Sequence, residues 1–215
     1  MVYKNRTRGS FIVIEGPDRS GKTTQCKLLA EEFRIKNLPV KIQKFPDRNT
    51  EIGKTIDMYL SGDLNLEDHA VHLLFSANRW EISEKIRKDL EKGIAVIADR
   101  YIYSGIAFSA AKGLNIEWCK ASEQGLPLPD GIIYLDVSQE KTSQRSNYGT
   151  ERYETNTMQE NVRLIFKNIL KTYSSTFCPV YWIDASNSII QIKTEVCNAV
   201  QEILNNQLDE IREFY

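Results

Sequence analysis

The sequence predicts one α/β domain in which helices flank a doubly wound, five-stranded parallel sheet. Two observations lead to this prediction. Short apolar runs typical of buried strands alternate with segments that place apolar residues at helical spacing, and neighbouring parallel strands are normally connected through such helices. The length of 215 residues suits one domain of ordinary size, so we expect a single domain over residues 1–215.

Five segments have the composition of buried parallel strands. Each is short and rich in apolar or β-branched residues, and the first ends directly at a glycine. They are FIVIE (11–15), LPVKIQKF (38–45), IAVIAD (94–99), GIIYLDV (131–137) and VYWIDA (180–185).

Helical patterns lie between and after these strands. One begins at Lys22, a short one ends at Gly62, and a long one over 66–93 ends at Gly93. The C-terminal segment is amphipathic, because its apolar residues recur in steps of three and four. They are residues 189, 192, 196, 200 and 203. The polar stretch 138–158 is predicted to be a mobile excursion after the fourth strand.

The composition restricts the classes of partner. The chain has 28 Lys and Arg against 29 Asp and Glu, a formal net charge of −1, which argues against a general binder of nucleic acid or of membrane surfaces. No run approaches eighteen apolar residues, and no apolar segment typical of a signal peptide follows the basic N-terminus. We therefore expect a cytoplasmic protein, although the sequence does not distinguish the cytoplasm from the nucleus. The four scattered cysteines form no CxxC pair, which argues against a zinc site.

Residues 16–23, GPDRSGKT, fit the phosphate-loop pattern G-x-x-x-x-G-K-[ST] between a predicted strand and a predicted helix. In such a loop the backbone amides converge on phosphate oxygens at a helix N-terminus. Lys22 is expected to reach the β- and γ-phosphates of ATP, and the Thr23 hydroxyl to coordinate Mg²⁺. ATP contacts are predicted for Gly16, Pro17, Asp18, Arg19, Ser20, Gly21, Lys22, Thr23 and Thr24.

The phosphate loop (residues 16–23) does not by itself separate a kinase from a GTPase, a motor or a nucleotide-binding module. A GTPase is disfavoured because the last predicted strand continues into VYWIDASNS, which lacks an N-K-x-D type element that would read the base.

Two arginines indicate a second phosphate site. Arg48 and Arg100 follow the second and third strands, and the carboxyl ends of parallel strands meet at the ligand-binding edge of a sheet. Such arginines are often solvated, but beside a phosphate loop we interpret them as clamps for a phosphorylated second substrate. Asp99 is predicted to hold Mg²⁺ partly through water; the alternatives are a helix N-cap or an ion pair with Arg100.

Phe75 and Arg79 are four residues apart, so a helix would place them on one face. A flat heterocycle could stack on the ring while the guanidinium donates to a base carbonyl. The alternative is that Phe75 belongs to the core. His72 shares this face, and we interpret it as a packing histidine.

Five blocks together resemble the thymidylate kinases of the eukaryotic and poxvirus type. They are FIVIEGPDRSGKTTQ, FPDRNTEIG, HLLFSANRWE, DRYIYSGIAFSAAKG and GTERYE…MQE, which run from about residue 11 to 165 in family order. The resemblance implies the P-loop NTPase type of sheet and transfer of a phosphoryl group from ATP to dTMP with Mg²⁺, giving dTDP and ADP. It also implies a mobile lid over about 138–154 and a homodimer.

The resemblance also implies roles for individual residues. Phe75 would stack on thymine, Arg79 would donate to its O4 carbonyl, and Arg48 with Arg100 would hold the dTMP phosphate. Phe45 begins a loop in which the family often has a cis peptide before the proline. The full set implied to contact dTMP is Asp18, Phe45, Arg48, Phe75, Arg79, Arg100, Ser104, Gly105, Tyr153 and Gln159.

Catalytic roles are expected for Asp18, Arg19, Lys22 and Asp99. The resemblance implies that Asp18 accepts a hydrogen bond from the sugar 3′-hydroxyl and that Arg19 points at the transferring phosphoryl group. Family members differ in whether this arginine lies in the phosphate loop or in the lid. Arg145 matches a lid arginine near the ATP adenine, and we interpret it as an ATP-binding residue, with a share in catalysis as the alternative.

Two departures from the family pattern leave the assignment in place, namely FPDR instead of FPER and a proline at position 17. Two other readings remain. The chain could be another nucleoside-monophosphate or deoxynucleoside kinase, or an ATP-binding module that has lost activity. The second reading is disfavoured because every charged residue expected in catalysis is present.

Overall fold

The structure is a computed structural model that describes residues 7–143, 152–153, 155–174 and 178–215. The strands of this described part are β1 (Phe11–Glu15), β2 (Val40–Lys44), β3 (Ala95–Asp99), β4 (Gly131–Asp136) and β5 (Val180–Asp184). The helices are α1 (Lys22–Ile35), α2 (Glu51–Ser61), α3 (Asp68–Glu91), α4 (Ile102–Ala111), α5 (Ile116–Ala121), α6 (Gln139–Ser143), α7 (Asn156–Ser174) and α8 (Ile189–Asn206).

The five strands form one parallel sheet in the order β2-β3-β1-β4-β5. Ile14 of β1 pairs with Asp99 of β3 on one side and with Ile133 of β4 on the other. The order reverses at the central strand β1, which confirms the predicted doubly wound sheet. The phosphate loop follows β1 and therefore lies at the middle of the carboxyl edge, where open α/β sheets bind ligands.

The core consists of two layers, one on each face of the sheet. Successive side chains of a strand point to opposite faces. Phe11 and Val13 of β1 therefore pack with α3, α4 and α7, whereas Ile12 and Ile14 pack with α1 and α8. Since all four side chains are fully buried, the sheet is covered on both faces, as the continuous apolar strand predicted.

The sequence patterns did not identify α4, α5 and α7 as helices. Helix α4 is apolar over most of its circumference, because it lies between the sheet and α7, so its sequence lacks a polar face. The polar stretch 138–158, predicted as an excursion, contains α6 and the first residues of α7. The rest of the predicted lid, including Arg145, lies outside the described residues.

Among the described helices, none combines the length and the apolar composition that spanning a bilayer requires.

Candidate active site

A cavity of about 350 Å³ opens at the carboxyl edge of the sheet. From the phosphate loop, its walls include Asp18, Arg19, Lys22 and Thr23. The end of β3 contributes Asp99, and the loops that follow the strands contribute Phe45, Arg48 and Arg100. Helices α3 and α4 and the segment before α7 contribute Phe75, Arg79, Ser104, Gly105 and Tyr153. The fold thus brings most of the predicted site residues to one place.

The conformation of the phosphate loop depends on glycines at its two ends. Gly16 has φ 148° and Gly21 has φ 97°, values that favour glycine. A side chain at position 16 would also place its Cβ 2.6 Å from the carbonyl oxygen of Leu135. Pro17 and Ser20 lie between these two glycines. Thr24 lies in the first turn of α1. Because Gly21 is the N-cap of α1 and has no side chain to cap it, the first amides of the helix are available to an anion.

Lys22 is buried and folds back onto its own loop. Its Nζ donates to the carbonyl oxygens of Pro17 at 2.6 Å and Gly16 at 3.2 Å. Burial, together with the positive charge of Arg100, lowers the pKa of Lys22 to about 8. To contact a phosphate, the ammonium group has to exchange these carbonyl oxygens for phosphate oxygens.

Asp18 connects the phosphate loop to α7. One carboxylate oxygen pairs with Nη2 of Arg100, and the other accepts a hydrogen bond from Nε2 of Gln159 at 2.7 Å. The backbone amide of Asp18 donates to Oε1 of Gln159 at 3.1 Å, and Nε2 of Gln159 also donates to the carbonyl oxygen of Tyr153. Burial alone would raise the pKa of Asp18, but the charges of Arg100 and Lys22 hold it below its ordinary value.

Arg100 is fixed by the backbone around it and by Glu15. Its Nη1 donates to the carbonyl oxygen of Gly16 and to Oγ of Ser104, both at 3.0 Å, from a left-handed backbone with φ 69°. Glu15 is fully buried and accepts hydrogen bonds from the amides of Tyr101 and Ser104 and from Oγ of Ser104. The carboxylate therefore anchors the N-terminus of α4 beside Arg100.

The sequence analysis missed Glu15, which it treated as the last residue of a strand. Burial raises the pKa of this carboxyl group. A charged residue at the end of an otherwise apolar strand, directly before the phosphate loop, is the signal that could have identified it.

Thr23 and Asp99 offer a pair of oxygen ligands. Thr23 Oγ1 donates to Oδ2 of Asp99 at 2.5 Å, and the Asp99 carboxylate is buried. The amide of Tyr101 at the start of α4 donates to Glu15, and Nη2 of Arg100 pairs with Asp18. A hydroxyl and a carboxylate oxygen fit the preference of Mg²⁺ for hard oxygen ligands.

Arg48 lies at the entrance of the cavity. Its Nη1 is 2.5 Å from Oδ1 of Asp57 in α2. The loop that carries it begins with the expected cis peptide between Phe45 and Pro46, and the Asn78 side chain holds it by accepting from the amide of Asp47 at 2.7 Å. The sequence analysis assigned no role to Asn78.

Arg79 lines the same cavity as Phe75 and is almost fully buried. Its Nε donates to Oε2 of Glu123 at 2.8 Å, and its Nη2 pairs with Oε1 of the same carboxylate. A Cβ added to Gly105 would lie 2.5 Å from Nη2 of Arg79, so the glycine leaves the space that the guanidinium fills. The sequence analysis missed Glu123, which belongs to none of the motifs.

Residues of the phosphate loop, the two strand-end arginines and the aromatic–arginine pair together line one cavity. Comparison with known proteins agrees with this geometry. The family model described as thymidylate kinase matches residues 14–196.

The curated thymidylate kinase of Schizosaccharomyces pombe is 46% identical over 198 residues, which cover 92% of this chain and 94% of that protein. The thymidylate kinase of Homo sapiens is 39% identical over 190 residues, 88% of each chain. The solved structure of thymidylate kinase from Candida albicans superposes with a TM-score of 0.87 at 38% identity, covering 97% of this chain and 99% of that one. The chain belongs to the thymidylate kinase family.

Proposed function

We infer that the chain phosphorylates dTMP, transferring the γ-phosphoryl group of ATP to the 5′-phosphate and giving dTDP and ADP. The observation that carries this inference is one cavity that Asp18 and Arg19 of the phosphate loop line together with Arg48 and Arg100 of the neighbouring strand ends. A loop that only held ATP would not need a second set of phosphate donors beside it.

We propose that dTMP lies along this cavity with its phosphate between Arg48 and Arg100. Thymine would then reach Phe75 and Arg79 at the other end. The deoxyribose between them would lie against Tyr153, whose ring packs against Phe108 with centroids 5.4 Å apart. This placement is supported by the lining of the cavity, which brings cationic side chains, a tyrosine and an aromatic–arginine pair together.

The base of ATP would lie on the opposite side of β1. The acceptor cavity borders the β2 and β3 side of the phosphate loop, which leaves the β4 and β5 side for the donor. A cavity of about 470 Å³ lies there, with Lys141, Trp182 and Ser186 among its residues. The ATP contact proposed for Arg145 rests on the resemblance alone, because this residue lies outside the described residues.

In the proposed mechanism, substrate binding rearranges the ion pairs of the site. Arg100 transfers from Asp18 to the dTMP phosphate, and Asp18 becomes the acceptor for the 3′-hydroxyl of the sugar. Lys22 leaves the carbonyl oxygens of its own loop for the phosphates of ATP. Arg19 stabilises the negative charge that spreads over the phosphoryl group in transit.

Mg²⁺ would be held by Thr23 and Asp99, in part through water. When bound there, the ion would supply positive charge to the β- and γ-phosphate oxygens. The hydrogen bond between the two side chains supports this proposal, because it already brings two oxygen ligands together.

The function is tested by measuring ADP release with ATP and Mg²⁺ against dTMP, dUMP, dCMP, AMP, GMP and UMP. The highest kcat/KM is expected for dTMP. A preference for AMP or GMP would identify a different nucleoside-monophosphate kinase. ATP binding without turnover on any acceptor would identify a nucleotide-binding module.

The affinity for ATP is expected to fall as the pH rises through about 8. The pKa of Lys22 in the ligand-free chain is about 8, so the protonated form that attracts phosphate is lost above this pH. Between pH 7 and pH 9 the protonated fraction falls about tenfold, and the ATP dissociation constant is expected to rise by a similar factor. Isothermal titration calorimetry checks this, with Lys22→Ala as a control whose weak binding stays flat. A flat profile in the unaltered chain would contradict the role of Lys22.

Replacing Gly105 with alanine is expected to weaken dTMP binding by displacing Arg79. The added Cβ would lie 2.5 Å from Nη2 of Arg79. Alanine is favoured over glycine inside a helix by about 1 kcal/mol, so α4 itself should not be destabilised by propensity. Steady-state kinetics should show a KM for dTMP raised about tenfold with an unchanged KM for ATP. An unchanged KM for dTMP would show that Arg79 does not need this space.

We propose that the chain is a homodimer and that α3 carries the dimer face. Leu73 and Trp80 are seven residues apart on α3, and they are 48% and 41% exposed. Leu73→Arg is expected to convert the dimer to a monomer in light scattering coupled to gel filtration, whereas Ile35→Arg on α1 should leave it unchanged. A monomeric unaltered chain would contradict the dimer, and a dimeric Leu73→Arg variant would contradict the face.

Two further predictions concern the whole chain. A single domain over residues 1–215 predicts one cooperative thermal transition in calorimetry. The cytoplasmic location predicted from the sequence is checked by imaging a fluorescent fusion in its host cell.

A further inference from the structure

We propose that Glu123 is a positioning residue that sets the base specificity of the acceptor site by holding Arg79 in one orientation. The proposal rests on the proposed function, in which Arg79 donates to a carbonyl oxygen of the nucleobase. Glu123 itself does not touch the substrate in this arrangement, so it acts through Arg79.

The contact between the two side chains fixes the plane of the guanidinium group. Nε and Nη2 of Arg79 bind the two carboxylate oxygens of Glu123, which is the side-on, bidentate geometry. Within the described residues, no hydrogen bond of the third nitrogen, Nη1, to an acceptor is present. Because Arg79 lines the cavity, the two N–H groups of Nη1 and the second N–H group of Nη2 are the donors that remain for a ligand.

Glu123 is held in place by three side chains of α3. His72 and Ser76 bind the carbonyl oxygens of Cys119 and Ser122 at 2.9 and 2.8 Å, and Trp80 Nε1 donates to that of Ser122 at 2.9 Å. These three residues are spaced by four, so they share one face of the helix. The segment that precedes Glu123 is therefore fixed to the same helix that carries Arg79.

Helix α4 also limits the space around the guanidinium group. The position that a Cβ at Gly105 would take is 2.5 Å from Nη2 and 3.0 Å from Nη1 of Arg79. Arg79 thus packs against the backbone of a helix while it binds the Glu123 carboxylate. Because both charged side chains are 3% exposed or less, there is little room for a second orientation.

This arrangement favours a base with a carbonyl at the contacted position. A guanidinium group can only donate hydrogen bonds. Thymine presents the acceptor O4, whereas cytosine presents an amino group at the same position. An Arg79 that is held in place meets that amino group donor to donor, but an Arg79 that could rotate would move away from it. The selectivity between the two bases therefore depends on the Glu123 carboxylate.

A purely structural ion pair predicts a different outcome. Breaking a buried pair leaves one charge without its partner and destabilises the fold, whatever the pair does in binding. The Arg8–Asp130 pair, with Nη2 and Oδ1 2.6 Å apart, is similarly buried and lies away from the cavity. Asp130→Asn is therefore a matched control for the loss of a buried carboxylate.

The test compares kinetics on dTMP and dCMP for Glu123→Gln and for the control. In Glu123→Gln we expect the KM for dTMP to rise about tenfold, with kcat changed less than about threefold and the KM for ATP unchanged. The ratio of kcat/KM for dTMP to that for dCMP is expected to fall about tenfold. In Asp130→Asn this ratio should equal that of the unaltered chain. A ratio unchanged in Glu123→Gln, or lowered equally in both variants, overturns the proposal.

A double-mutant cycle separates an effect through Arg79 from a general loosening of the site. In an Arg79→Ala background, Glu123→Gln is expected to cause no further rise in the KM for dTMP. Additive effects of the two changes would overturn the proposal.

If Glu123→Gln does not fold, Glu123→Asp takes its place, since it keeps the carboxylate on a shorter stem. A lowered dTMP to dCMP ratio in Glu123→Asp supports the positioning role, and an unchanged ratio overturns it. Failure of the proposed function is distinguishable, because the unaltered chain would then not turn over dTMP at all.

Discussion

Arg19→Ala is expected to lower kcat about a thousandfold while changing the KM for dTMP much less, because an arginine at the transferring group contributes roughly 10³ to 10⁵ in rate. Arg19 lies in the middle of the phosphate loop with φ 60°, and its side chain lines the cavity between the two proposed substrates. We therefore expect its charge to stabilise the transition state, in which the phosphoryl group lies between the two substrates. An interaction that forms only in the transition state affects kcat.

Steady-state kinetics on the purified variant check this expectation, and Arg19→Lys is the control. Lysine keeps the positive charge but loses the planar, forked donor, so partial recovery of kcat is expected. If kcat of Arg19→Ala stays within about tenfold of the unaltered chain, the charge comes from the lid instead.

Arg152 is one of the basic residues of the predicted lid. Its position argues against the alternative that it supplies the catalytic charge in place of Arg19. Its Nε donates to the carbonyl oxygen of Tyr59 at 2.9 Å, and its guanidinium carbon lies 4.3 Å from the centre of the Tyr59 ring. Its Nη2 binds Leu64 and Asn65. Arg152 therefore attaches the chain to the end of α2 and the loop that follows, away from the phosphate loop.

The fold was predictable because its strands carry their own signal. Strands β1, β3 and β4 are buried on both faces, and this requires the continuous apolar runs that the sequence contains. Helix α4 was not predictable from periodicity, since its surroundings are apolar on nearly every side. The sequence of such a buried helix differs from that of a buried strand mainly in the length of its apolar run.

The site residues that belong to a sequence motif were predictable. The carboxylates that hold those residues in place were not. The phosphate loop has a fixed pattern because its backbone geometry admits few residues. Glu123 binds Arg79 although it lies 44 residues further along the chain. Glu15 lies 85 residues before Arg100 and 89 residues before Ser104, whose side chain it binds. No local spacing encodes contacts of this kind, because they arise only when distant segments pack together.

The interpretation of His72 as a packing residue agrees with its surroundings. Its Nδ1 is 2.7 Å from Oγ of Ser109 and its Nε2 is 2.9 Å from the carbonyl oxygen of Cys119. Burial lowers the pKa of His72, which favours the neutral ring. A neutral ring next to Glu123 does not compete with Arg79 for the carboxylate, so the packing role also preserves the ion pair at the base end of the cavity.

The ion pair between Arg100 and Asp18 has a consequence for substrate binding. Arg100 holds the carboxylate that is proposed to receive the sugar hydroxyl, while its other nitrogen binds Gly16 and Ser104. The same guanidinium is proposed to bind the dTMP phosphate. The phosphate and Asp18 therefore compete for one cation, and binding of dTMP sets Asp18 free to accept from the sugar.

Arg100→Met is accordingly expected to lower kcat/KM for dTMP about a thousandfold, with a much smaller change in the KM for ATP. The variant loses a charge-assisted contact to the phosphate, and the dTMP phosphate would then bind beside the buried Asp18 carboxylate with no cation between the two negative charges; each effect is worth roughly 1.5–3 kcal/mol. The left-handed backbone at φ 69° is as unfavourable for methionine as for arginine, so the comparison tests the side chain alone. Initial rates over a range of dTMP concentrations measure the effect.

Arg48→Met separates the two arginines. Arg48 pairs with Asp57, and both side chains are at least 36% exposed, so its removal leaves no buried carboxylate behind. The contact to phosphate is the loss that weakens dTMP binding, and a decrease in kcat/KM of about thirtyfold is expected, which is the smaller of the two effects. If Arg100→Met were no more damaging than Arg48→Met, the competition between dTMP and Asp18 for Arg100 would play no part in the reaction. A kcat/KM that falls further in Arg100→Met supports a site in which one arginine both binds the acceptor phosphate and controls the carboxylate beside it.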